Sequence, residues 1–124
     1  MQLSHEDRVW NRAAVDGGGA TPGAGDRALS SLLLVHGLVM NGGVEHAVEV
    51  LSPNEVAAAI LGFRYFEFVD VAELLQSVAS GKLSAEELDQ RYWDLIPNDE
   101  AIAQKFKTRF RLSPNAFAPL EGTR

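Results

Sequence analysis

Cysteine is absent from this chain of 124 residues. Its absence excludes a disulfide framework, a thiolate metal site and a cysteine nucleophile, and makes a reducing cytosol the natural setting. Long apolar runs are missing too. The uncharged stretch Ala28 to Val44 is interrupted by Ser30, Ser31, His36, Gly37 and Asn41, and is too short and polar to cross a bilayer. The opening residues, MQLSHEDRVW, lack the basic stretch and apolar region of a signal peptide. The expectation is a cytoplasmic protein with no membrane partner. No internal repeat or hairpin signal is present. The glycine-rich DGGGATPGAG, residues 16–25, has no Gly-Lys-Ser/Thr ending and no G-x-G-x-x-G spacing, and it follows a helical pattern, which argues against a phosphate-binding loop.

What is present is acid, unevenly placed. The net charge is −6, but residues 1–44 carry four acids and three bases, residues 45–100 twelve acids and three bases, and residues 101–124 one acid and five bases. The middle, at −9, repels nucleic acid and attracts basic proteins, so no direct nucleic-acid partner is expected. A chain of this length has room for one compact domain and buries roughly 65–70% of its unfolded surface.

Helix signals dominate. Ser4, with Asp7 three residues on, makes an approximate capping box and predicts a first helix from Leu3 to Val15. Residues 16–25 read as a flexible linker, because five glycines and a proline hold neither a helix nor a central strand. Residues 26–124 then form the helical domain, with Asp26 capping a second helix that is apolar nearly all round and therefore central and buried. Val44 to Leu51 is a short third helix. Ser52, Pro53 and Glu55 start a fourth, which Gly62 either breaks or kinks before the chain runs on to Ala79 and stops at Gly81. Ser84 with Glu87 opens a further helix closed by Pro97, and Asp99 to about Leu112 is the last. The predicted architecture is all-α: a single-domain bundle of six to seven helices with an Asn-Gly-Gly turn after the buried central helix.

Two readings of the acidic middle stand side by side. At about 100° per residue, Glu67, Asp70 and Glu73 share one helix side, either as an ordinary solvated face or as a negative ridge. Glu86, Glu87, Asp89, Asp94, Asp99 and Glu100 would extend that ridge if their helix packs alongside. A ridge of this kind can imitate a row of phosphates and engage the Arg/Lys surface of a DNA-binding protein. No metal is expected: His36, Glu45 and His46 lack helical ligand spacing, and His36 reads as a packed, hydrogen-bonded core residue. No cofactor is expected either, and nothing specifies a catalytic nucleophile. The aromatics fall at helical spacings and read as core rather than as a platform for bases. Lys105, Lys107, Arg109 and Arg111 are spread around their helix and are expected to pair with acids or stay solvated.

Around VHGLVMNGGVEHAVEV the residue types suggest a cap, with Asn41 and Gly42 tolerating positive φ and Gly43 reversing the chain. Glu45 and His46 remain there as candidate functional side chains. Taken together, VMNGGVEH, AAAILGF and LDQRYWDLI resemble the motifs of the bacterial DNA-mimic-protein-like family, all-helical domains of unknown function. Asn41, Gly42 and Gly43 match that family's central motif, and Ala59, Ile60, Leu61 and Gly62 its second. Val44 and His46 replace an aromatic and a glutamine, and Ala47 and Val48 replace further aromatics. The resemblance spans Leu29 to Leu95, about half of the chain, and implies the fold. It also suggests a non-enzymatic acidic protein that binds a basic protein partner, such as a DNA-binding regulator. Other readings are an immunity or antitoxin-like protein neutralising a basic nuclease, an enzyme with a pocket beside the Asn-Gly-Gly turn, and a homodimer formed through an exposed apolar helix surface.

Overall fold

The computed structural model describes residues 3–120. Seven α-helices occur among them: α1 (His5–Asp16), α2 (Ala24–Gly42), α3 (Val44–Val50), α4 (Pro53–Tyr65), α5 (Val69–Ser77), α6 (Ala85–Leu95) and α7 (Asp99–Leu112). Short 3-10 turns follow α5 and α7, and no strand is present among the described residues. Among the described residues, no helix is long and apolar enough to cross a membrane.

Most helix starts follow from local chemistry. Ser4, Ser52 and Ser84 accept the backbone N–H of Asp7, Glu55 and Glu87, and each of those acids returns a bond to the cap's own N–H. Asn98 caps α7 in the simpler way, accepting from the Ala101 N–H at 3.1 Å. These bonds satisfy donors that the first helical turn leaves open, each stabilising by roughly 1 kcal/mol.

The layout centres on α2, which packs against α1, α3 and α4. Leu29, Leu32, Val35 and Val39 bury its inner face with Phe63, Tyr92 and Ile102 in one core. Each fully buried aliphatic or aromatic side chain contributes roughly 1.5–3 kcal/mol. Burial is not complete around the helix: Leu34 and Met40 are exposed. At one end Phe106 stands between Trp10, Phe110 and Phe117, each with ring centroid at 5.7 Å, which fastens α7 to α1 and the chain end.

Several boundaries differ from the sequence expectation. α2 begins at Ala24, inside the segment read as linker, with Gly23 as its cap and Asp26 at the third helical position. Gly23 lies so close to Ala116 that an added Cβ would come within 2.3 Å of the Ala116 carbonyl oxygen. Gly25 would meet the Phe117 ring at 2.5 Å. These glycines thus let the chain end pack onto the start of α2. Gly62 neither breaks nor ends α4. An added Cβ there would lie 2.5 Å from the Ala28 carbonyl oxygen, so the glycine is used for the close crossing of α2 and α4. The chain turns instead at Phe66 to Phe68, where Glu67 has φ 68, the one positive φ outside glycine among the described residues.

Candidate functional site

Helix capping and burial divide the carboxylates. Asp26, fully buried, accepts from the Arg12 guanidinium at 2.8 Å, the Gly23 N–H at 2.9 Å and the Ala118 N–H at 2.7 Å. Arg12 also donates to the carbonyls of Ala118 and Pro119, so one ion pair holds α1, α2 and the chain end together. Glu87 is the reciprocal partner of the Ser84 cap, and the bond from the Ser84 backbone N–H, helped by the Ser84 hydroxyl, holds its carboxyl below the usual glutamate range. Asp89 reaches back to α3, accepting from the Val44 N–H at 2.8 Å. Glu6 pairs with Arg111 at 3.3 Å, and Glu100 accepts from Gln104.

Glu67, Asp70 and Glu73 do not form one helical row. Glu67 lies in the turn before α5, and only Asp70 and Glu73 are on the helix. α6 runs back along α5 and brings Asp94 to the same place, so that Asp70, Glu73 and Asp94 line an open groove of about 550 Å³. Leu74, Leu83 and Leu95 give it an apolar lining, and Lys82 and Arg91 complete the charged set. A smaller depression shares Asp70 and Leu95 and adds Glu67. No ion pair joins these acids to Lys82 or Arg91, and Asp70 and Glu73 make no side-chain hydrogen bond among the described residues. Glu86 is exposed at the start of α6. The ridge expected across both helices is therefore shorter. Asp70, Glu73 and Asp94 converge, while Glu87 and Asp89 are committed to capping.

At the Asn-Gly-Gly stretch, Asn41 and Gly42 remain helical and exposed, so neither is the positive-φ cap. That role belongs to Gly43, with φ 95, which ends α2 and starts α3. A side chain on Gly43 would press on the Asp89 carboxylate at 2.9 Å, the same carboxylate that caps α3. The His46 ring lies over Gly42, where an added Cβ would come within 2.6 Å. His46 thus covers the turn, and Glu45 points to solvent. Neither is found in the lining of five cavities among the described residues.

His36 is buried as expected, and its partners come from distant helices. Its Nδ1 is 2.7 Å from the Tyr92 hydroxyl and its Nε2 is 2.8 Å from Asp99 Oδ1. Burial, and secondarily the nearby Asp99 charge, push the Tyr92 phenol well above its ordinary value of 10.0. The residue types hinted at this chain, because a buried histidine and a buried tyrosine each need a partner. Their pairing across 56 positions has no local signal. Of the basic residues of α7, Arg109 lies over the Tyr65 ring at 4.3 Å and Arg111 pairs with Glu6. Among the described residues, no group of three or more histidines and carboxylates is placed to hold a metal ion.

Set against protein-family models, curated proteins and solved structures, the chain matches none.

Proposed function

We propose that this protein is a binding module that takes a basic protein partner at the α5–α6 groove. The observation that carries this reading is the convergence of Asp70, Glu73 and Asp94, from two helices, around an apolar-lined groove. Asp26, Glu87 and Asp89 are committed to an ion pair and to caps, whereas Asp70 and Glu73 accept no side-chain hydrogen bond among the described residues and Asp94 accepts one, from Gln90, so the groove keeps acceptor capacity for another molecule. Leu74, Leu83 and Leu95 offer a surface for the aliphatic stem of a lysine or arginine whose head reaches an acid. Lys82 and Arg91 at the same groove can take an acidic residue that accompanies the partner's lysines and arginines.

The finer form of the proposal is a partner of DNA-binding type, a transcriptional regulator whose basic surface ordinarily meets phosphates. The strongly acidic middle of the chain and the resemblance of VMNGGVEH to the DNA-mimic-protein-like family support it. The test is affinity capture from a lysate of the source organism at low and high salt, comparing the native chain with the triple variant D70N/E73Q/D94N. A captured protein with a basic surface, lost in the variant and weakened by salt, is the expected result. Capture that the triple variant leaves intact overturns the proposal.

A further inference from the structure

The chain Tyr92–His36–Asp99 lies at a groove the proposed function does not use. It runs between α1 and α2, has a volume of about 630 Å³, and includes Trp10, Leu34, Leu38 and Met40 in its lining. Leu34 and Met40 are about half exposed, at 45% and 55%. Both His36 and Asp99 reach this groove, and among the described residues no lysine or arginine lines it.

The direction of the hydrogen bonds follows from burial. Tyr92 is fully buried, and its hydroxyl has one partner among the described residues, His36 Nδ1. A buried O–H must donate, so Nδ1 accepts and the ring proton sits on Nε2. Nε2–H then donates to Asp99 Oδ1. The histidine is thereby held in one tautomer and acts as a positioning residue that fixes the carboxylate against the groove. The second oxygen of Asp99 makes no hydrogen bond among the described residues, and Asp99 has no lysine or arginine in ion-pair contact. Asp99 is largely exposed, with 73% of its side chain open to solvent. Its free oxygen can therefore offer an external cation with an apolar body a charge partner beside an apolar groove of ligand-binding size, with no lysine or arginine paired to it among the described residues.

We infer that the α1–α2 groove binds a small organic ammonium ion, its apolar part against Trp10, Leu34 and Met40 and its charge on Asp99. The occupant differs from that of the α5–α6 groove, and this site stands or falls separately from the proposed function.

The test uses two probes of nearly equal shape, 2-phenylethylammonium and neutral 2-phenylethanol, titrated into the full chain and followed by amide and indole NMR shifts. Saturable shifts at Trp10, Gly37 and Asp99 are expected, with the amine bound roughly threefold more tightly, as suits a partly exposed ion pair. Asp99→Asn should bring the amine's affinity down to that of the alcohol. Tyr92→Phe removes the hydroxyl bond that fixes the His36 ring, so Asp99 loses its positioning and the amine should weaken while the alcohol does not. Equal affinity of the two probes for the native chain overturns the inference, as do shifts centred on another face or a lack of saturation. The comparison of probes on the native chain needs no variant to fold.

Discussion

Asp26 and Asp70 are the same side chain put to opposite uses. Asp26 is fully buried and accepts from a guanidinium and two backbone N–H groups, one from Gly23 and one from Ala118, 92 positions away. Asp70 is exposed at a groove and has no such partner among the described residues. What separates them is how much of each carboxylate's acceptor capacity the fold has consumed. An acid count alone treats them alike. A buried anion held by three donors contributes to stability because its removal strands the donors. An exposed one contributes little to stability and keeps its charge for a partner.

The largest expected effect breaks the comparison at Asp26. Asp26→Ala strands the Arg12 guanidinium and the Ala118 N–H, and should cost about 3–5 kcal/mol in denaturant unfolding, while Asp70→Asn stays within about 0.5 kcal/mol. Equal costs would show that burial does not distinguish the two carboxylates. Asp89 is intermediate, half-buried and capping α3 through the Val44 N–H. Asp89→Ala should cost about 1–2 kcal/mol by the same measurement. Glu67 sharpens the contrast from the backbone side, since its exposed carboxylate sits on a residue with φ 68. Glu67→Gly relieves the Cβ clash of the left-handed conformation and should raise stability by roughly 0.5–1 kcal/mol. A drop in melting temperature would instead point to a structural role for the side chain.

The smallest effect is a pH dependence at Glu87. Its carboxyl titrates lower in the folded state than the ordinary 4.5 because the Ser84 backbone N–H and hydroxyl favour the charged form. The cap's contribution is therefore present above that ordinary value and is lost as pH falls through the lower, folded value. Carboxyl NMR titration should give Glu87 a midpoint below 4.5, and Ser84→Ala should move that midpoint upward.

Legibility in the sequence followed the range of the interaction. Ser4, Ser52 and Ser84 read correctly as caps because cap and acid are three residues apart and meet whenever a helix forms. Gly81 read correctly as a stop, and it does adopt φ 69. Gly62 read as either a break or a kink because an isolated glycine weakens a helix, yet its missing Cβ serves a crossing with Ala28, 34 positions earlier. Glu67 carried no turn signal at all. In the acidic middle, helical spacing placed Asp70 and Glu73 together, but the arrival of Asp94 beside them depended on α6 folding back along α5. The tyrosine and aspartate that complete the His36 chain were likewise beyond the reach of local pattern.

By itself, the sequence determined that this protein is all-helical, where most of its helices start, and that its charge is concentrated in the middle of the chain. Those properties rest on contacts within about one helical turn and on composition. Only the tertiary structure decided which carboxylates are consumed and which remain available, why Gly43 and Gly62 must be glycine, and which groups meet at the two grooves. Each of those outcomes depends on the distance between atoms from different helices, which packing of the whole chain sets and no short window of residues contains.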